Sequence, residues 1–193
     1  EERLFQRDPV NMGAKKRRTT PLLIEAVLYH YGDTIDKVES FAYEAEVVAE
    51  SEGKDLALLR IKKEHGVFSQ IARLAPKGFV PYRPDYAWTA GASLRIIPFL
   101  AHGLFGNASS GASGVQLIQT TAPVFFGSSG GGLYHFSEKS GRYELVGVTT
   151  QFLGDPRRRI AAPHISISVG IKTIYDFLEE NNFSLIVESH NPQ

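Results

Sequence analysis

One clear helical periodicity closes a chain otherwise written as short β-type runs. Near the C-terminus Ile171, Ile174, Tyr175 and Leu178 recur at i, i+3, i+4 and i+7, and Asn181-Asn182 supplies a stop. Ahead of it, 18 glycines and 10 prolines punctuate runs rich in β-branched and aromatic residues. Leu22 to His30 reads as a strand with a turn at Gly32-Asp33, and Val38 to Glu50 as its neighbour, with Phe41, Tyr43, Ala45 and Val47 alternating against polar residues. Leu56 to Ile61 is a short apolar run, a buried strand. Pro76 to Pro84 is loop. Leu94 to Phe99 and Val115 to Thr121 read as strands, separated by a small-residue stretch from Gly106 to Gly111 that reads as a mobile loop. Leu133 to Phe136 and Tyr143 to Thr150 form a hairpin around Glu138-Lys139-Ser140-Gly141. Short strands followed by one closing helix make the pattern of an all-β barrel protein.

Composition narrows the function classes. The 21 basic and 21 acidic residues cancel, so no global field steers the chain to nucleic acid or an anionic membrane. No apolar run approaches the roughly 20 residues of a membrane span. The chain has no cysteine, which excludes disulfides, a thiol nucleophile and thiolate metal sites. The histidines after Asp55 (His65, His102, His135, His164 and His190) form no spaced ligand pair, so neither a metal site nor a cofactor is expected. The clusters Lys15 to Arg18 and Arg157 to Arg159 read as solvated loops, with nucleic-acid contact a weak second reading.

The most informative segment is Gly127-Ser128-Ser129-Gly130-Gly131-Gly132-Leu133. A serine among glycines suits acyl transfer, because glycine lets the backbone turn until the N–H groups of Gly127 and Ser129 converge on one oxyanion. In isolation the run also reads as a flexible linker, although strand-like segments stand on both sides of it. It also fits Gly-x-Ser-x-Gly, the nucleophile elbow of α/β-hydrolases, but that elbow runs from a strand into a helix. Three glycines are a poor helix start. Upstream, Lys54-Asp55-Leu56-Ala57-Leu58-Leu59 places an aspartate just before a buried strand, where a plain turn aspartate is the other reading.

Taken together, Asp55 and Ser129, in this order and at this separation, resemble the trypsin-like serine protease family, especially its HtrA-like branch. That branch carries Asp-Leu-Ala-(apolar)-Leu in its first barrel and a Gly-Asn-Ser-Gly-Gly-Pro-Leu type motif in its second. Tyr43 to Val48, Gln119 to Ala122, Leu145 to Val148 and Val169 to Leu178 match further segments in order, and the resemblance covers roughly residues 20 to 180.

The resemblance implies two packed six-stranded antiparallel barrels with a C-terminal helix. Residues 1–75 would form the N-terminal barrel, in part, and carry Asp55. Residues 76–193 would form the C-terminal barrel with Ser129 and a closing helix over 169–182. It implies a serine endopeptidase acting on polypeptide, with Ser129 as nucleophile, Asp55 orienting an imidazolium, and the amides of Gly127 and Ser129 as the oxyanion hole. Pro123 would stand at the base of the primary pocket. Ser128 stands where many relatives have Asn or Asp, which leaves a freed N-terminus no aspartate to pair with. Gly132 replaces the usual proline and loosens the loop.

The base does not fall into place. His30, at a strand end, is the only histidine before Asp55, whereas the family layout puts the base ahead of Leu22. With a helix-like start from Glu1 to Asp8, the expectation is that the first barrel is incomplete on its N-terminal side and that its first strands and histidine precede Glu1. A protease-like fold kept as a catalytically inactive binding or structural module is the alternative function.

Overall fold

The computed structural model describes residues 24–31, 38–62, 71–82, 84–111, 114–155 and 160–184. Within them lie two β-sheets and a closing helix. The small sheet is the antiparallel run β1 (Ile24–Tyr31), β2 (Val38–Ser51) and β3 (Leu56–Ile61), with Tyr31 opposite Val38 and Ser51 opposite Leu56. A bulge between Val47 and Ala49 shifts the register of β2 on β3, and Ala45 and Ala49 turn inward while Phe41 and Val47 stay exposed. Among the described residues this sheet is open, with three strands rather than the six of a closed barrel.

The large sheet does close. Its strands are β4 (Arg73–Leu74), β5 (Tyr86–Gly91), β6 (Phe99–Ser110), β7 (Gln116–Thr120), β8 (Gly132–Ser137), β9 (Arg142–Asp155) and β10 (Ile160–Gly170). They run in the order β10-β7-β6-β5-β8-β9, and β9 pairs back onto β10, so six antiparallel strands form a ring without an edge. β4 adds to the outside of β9 in parallel, so Arg73–Leu74 belongs to the large sheet. The turn between β8 and β9 falls where the sequence places it, with Gly141 at φ +64 and its amide bonded to Ser137 O at 2.8 Å.

The ring fills with Ala87, Phe105, Ile118, Leu133 and Val146, all buried. Its polar interior residues pair with one another, Thr120 Oγ1 to Ser166 Oγ at 2.7 Å and Ser168 Oγ to Thr149 Oγ1 at 3.4 Å. The helix α1 (Ile171–Glu180) packs Ile171, Ile174, Tyr175, Phe177 and Leu178 inward, which is the expected apolar stripe. Its N-cap, Gly170, has no side chain to offer, and Gln116 of β7 supplies the missing acceptor: Lys172 N–H donates to Gln116 Oε1 at 3.1 Å. Leu56 and Leu58 of β3 meet Ile174, Phe177 and Leu178 across an apolar groove, and Lys54 pairs with Glu180 at its rim. These contacts seat the small sheet on the C-terminal helix.

Two readings of the sequence are corrected here. Leu94 to Phe99 is not a strand: Ser93–Arg95 makes one 3₁₀ turn with Leu94 at φ +55, and β6 starts at Phe99. The stretch from Gly106 is not a loop either, since β6 runs through Ser110, with Ala108 opposite Ile118 and Ser110 opposite Gln116. Small residues serve close strand approach at this point. A Cβ on Gly106 would stand 3.3 Å from Gln119 O, and the register shifts between Phe105 and Ala108 as the strand bends. The segments Glu1 to Asp8, Lys15 to Arg18 and Arg157 to Arg159, and the residues His65 and His190, lie outside the described residues. Among the described residues, no helix is long and apolar enough to cross a membrane.

Candidate active site

Residues 121–131 bridge β7 to β8 and are bonded to their surroundings along most of their length. Leu104 exchanges two hydrogen bonds with Thr121, its amide donating to Thr121 Oγ1 at 2.8 Å and its carbonyl accepting from Thr121 N–H at 2.9 Å. Val124 N–H reaches Pro163 O at 2.8 Å. Two tight turns then follow, each with a glycine third. Phe125–Ser128 is closed by Ser128 N–H to Phe125 O at 3.0 Å, with Gly127 at φ +97. Ser128–Gly131 is closed by Gly131 N–H to Ser128 O at 2.9 Å, with Gly130 at φ +86. Left-handed third positions call for glycine, which is the local reason for this sequence. Reciprocal bonds between Thr149 and Gly130 and Gly131, each 2.8 Å, weld the second turn to β9.

The turns separate the two serines. Ser128 is buried, and its hydroxyl pairs with Ser93 Oγ at 2.7 Å, so it ties the loop to the Ser93–Arg95 turn. Ser129 is exposed, and its hydroxyl donates to Thr150 O at 3.0 Å. Phe126 O accepts from Leu94 N–H at 2.6 Å. A trans peptide sets its C=O and N–H on opposite sides, so Gly127 N–H points away from that contact. Among the described residues neither Gly127 N–H nor Ser129 N–H bonds a protein carbonyl. Two free donors therefore accompany one exposed hydroxyl.

Gly132 does more than loosen the loop. A Cβ there would stand 2.4 Å from Tyr134 Oη, so glycine leaves room for the Tyr134 ring, whose burial pushes its phenol pKa up.

Ser129 opens onto a cleft of about 850 Å³ whose walls include Leu94, Ile96, Val124, Phe125, Phe126 and Phe152. Phe125 stacks on Phe152 with centroids 5.5 Å apart and planes 9° off parallel, and Phe126 meets Phe152 edge-on at 5.2 Å. Among the described residues that line the cleft, none is charged. Pro123, expected at the base of the primary pocket, is exposed and outside the cleft lining, while Val124 beside it is buried there. The Val124–Pro163 bond turns Val124 inward and leaves its neighbour outside.

Asp55 ends the turn that leads into β3, at φ +54 and exposed, with its amide on Glu52 O at 3.3 Å. Aspartate tolerates this left-handed conformation. Among the described residues its carboxylate makes no hydrogen bond or ion pair, and it does not line the cleft. The structure thus brings Gly127 and Ser129 together and does not bond Asp55 to them. His30 is exposed on β1, edge-on to Phe41 at 5.8 Å, and does not line the cleft either. His102 packs on Trp88 at 4.9 Å, His135 lies against Phe79 and Phe105, and His164 is exposed on β10. No histidine of the described residues bonds Ser129. Reasoning from sequence missed Ser93, Tyr29 and Phe152. Ser93 carries no motif, whereas Phe152 could have been found by extending the strand behind the nucleophile by two residues.

The sequence matches no family model and no curated protein. The fold does have solved counterparts. The HtrA-type protease AlgW with decapeptide superposes with a TM-score of 0.59 at 18% identity, over 76% of this chain and 44% of that one. A serine-to-alanine variant of AlgW with decapeptide gives 0.58 at 18% identity, over 80% and 45%. This chain spans less than half the length of those structures. Its fold is that of a chymotrypsin-like serine protease domain of the HtrA type.

Proposed function

We propose that the chain belongs to a serine endopeptidase domain, which cleaves peptide bonds through an acyl-enzyme on Ser129. The observation that carries this reading is the exposed Ser129 hydroxyl beside two amides, those of Gly127 and Ser129, that bond no protein carbonyl among the described residues. In the reaction the Ser129 oxygen attacks the scissile carbonyl, and its proton passes to a histidine outside the described residues. The amides of Gly127 and Ser129 hold the oxyanion that develops on the carbonyl oxygen. Asp55 orients the histidine and stabilises its protonated form. The protonated histidine then gives its proton to the leaving amine, and water releases the acyl group by the same route. The division into an N-terminal unit with Asp55 and a C-terminal unit with Ser129 belongs to this proposal. A polypeptide substrate accords with the decapeptide in the AlgW structures.

A second reading, a protease-like binding module, is favoured by one observation: the Ser129 proton is donated to the Thr150 carbonyl, which is no base, with no imidazole of the described residues in reach. A serine-directed phosphonate separates the two readings. Covalent labelling of Ser129 supports the enzyme, and clean failure to label on a folded, full-length sample supports the module.

Specificity follows from the cleft walls. An Arg or Lys side chain entering them would lose its hydration and gain no carboxylate from the described lining residues. A peptide-library profile is expected to show cleavage after small or medium apolar residues, and a profile dominated by Arg and Lys would refute the assignment of this cleft.

A further inference from the structure

Among the residues that line the cleft, Tyr29 is the one supplied by the small sheet. It lies near the end of β1 opposite Ser40, a residue too small to cover its ring. Tyr31, two positions on and therefore on the same face, donates its hydroxyl to Pro98 O. Pro98 closes the segment that carries Leu94 and Ile96, two residues of the facing wall. This tether holds β1 against that segment and so fixes where the Tyr29 ring stands. Tyr29 has no ring contact with Phe125, Phe126 or Phe152, and its hydroxyl makes no hydrogen bond among the described residues. Phe126, which lines the same cleft, is 66% exposed. These are two aromatic rings without a mutual contact, one with a hydroxyl unbonded among the described residues, in a cleft whose described lining residues carry no charge. Apolar side chains suit the rings, and the backbone of an extended peptide offers carbonyls for the phenol.

We propose that Tyr29 is a specificity-determining residue of the cleft: an apolar side chain of bound polypeptide lies between the Tyr29 and Phe126 rings, and the Tyr29 hydroxyl donates to the polypeptide backbone. The proposal rests on the reading of this cleft as the peptide site, and its test is arranged so that the two can fail separately.

The probes are peptide amides that differ only in one residue (Gly, Val, Leu or Phe), with matching peptidyl phosphonates. Binding of the amides is measured by calorimetry on the Ser129→Ala chain, which needs no chemistry, and labelling is measured on the chain with Ser129 intact. Tyr29→Ala is expected to lose roughly tenfold of the preference for Leu and Phe over Gly. Tyr29→Phe should keep that preference and weaken all peptides alike, by roughly threefold. If Tyr29→Ala does not fold, Tyr29→Leu replaces it, since it too removes the ring. An unchanged Leu-to-Gly ratio in a folded ring-less variant overturns the role of Tyr29, whether or not Ser129 labels. Tyr29-dependent binding without labelling keeps the role of Tyr29 and overturns the acyl-enzyme. Absence of both binding and labelling in the parent chain overturns both.

Discussion

Ser129→Ala is expected to remove about 2 × 10⁶ of kcat for peptide cleavage, the loss typical when a triad nucleophile is deleted. Ser128→Ala, one residue earlier, should keep most of the turnover. The two hydroxyls stand in different places: that of Ser129 is exposed at the cleft with free amides beside it, and that of Ser128 is buried against Ser93 Oγ at 2.7 Å. Losing Ser128 Oγ removes its bond to Ser93 Oγ and the longer one it accepts from Phe125 N–H at 3.4 Å, which costs about 1–2 kcal/mol of stability. The pair of variants therefore separates chemistry from scaffolding. Steady-state kinetics and a urea titration of each read the two quantities independently. Equal loss of turnover in both would mean that the reactive hydroxyl is not the one the loop presents.

Gly131→Ala is expected to unfold the nucleophile loop and the β5–β8 seam together. A Cβ at this position would stand 2.4 Å from Ala90 O and 2.8 Å from Ser128 O. Both neighbours are backbone, so neither can rotate away. Relief requires breaking the pairing of Ala90 with Gly132 or opening the Ser128–Gly131 turn. Such overpacking costs typically about 1–3 kcal/mol, and more where backbone must move. Gly53→Ala is the control, because a Cβ there meets nothing within 4 Å and the residue is not in the left-handed region. It should leave the urea midpoint unchanged or slightly raised, through a stiffer unfolded chain. A Gly131→Ala chain as stable as the Gly53→Ala chain would contradict the close approach on which the loop geometry depends.

The parts of the fold legible in the sequence are those where local pattern and tertiary need coincide. Leu56 to Ile61 was readable as a strand because its six residues are uninterrupted by turn formers, but it is not the buried strand expected, since its residues are half-buried or exposed, with Leu59 at 45%. The closing helix was readable because Ile171, Ile174, Tyr175 and Leu178 all face the core. The strands that escaped notice lack such agreement. β10 contains Pro163, and the ladder to β9 breaks there, between Ala162 and Ser166, so the proline sits where a donor is not needed. β5, Tyr86–Gly91, follows a proline-rich loop and offers only six residues, small and aromatic by turns. In β6 the run from Gly106 to Ser110 has the composition of a loop: Gly106 is close to Gln119 O of the facing strand, and the four residues after it are exposed, so no apolar pattern marks them as strand.

The candidate site divides along the same line. Gly127, Gly130 and Ser129 announce themselves because the turns they form demand glycine at fixed positions. Asp55 precedes its strand as expected, and among the described residues no hydrogen bond joins it to Ser129. The cleft walls were half legible. Val124, Phe125 and Phe126 follow from their place beside the nucleophile, whereas Tyr29 and Leu94 arrive from segments remote in sequence and joined by the Tyr31–Pro98 contact.

The most direct measurement of the central claim is the mass of a trapped reaction intermediate. The folded, full-length protein is mixed with an activated ester of an apolar-ended peptide, quenched in acid, digested and mapped by mass spectrometry. The account predicts an adduct of one acyl group on Ser129, absent from the Ser129→Ala chain. Turnover of the ester with no acyl adduct at Ser129, or an adduct on Ser128 in its place, would contradict it.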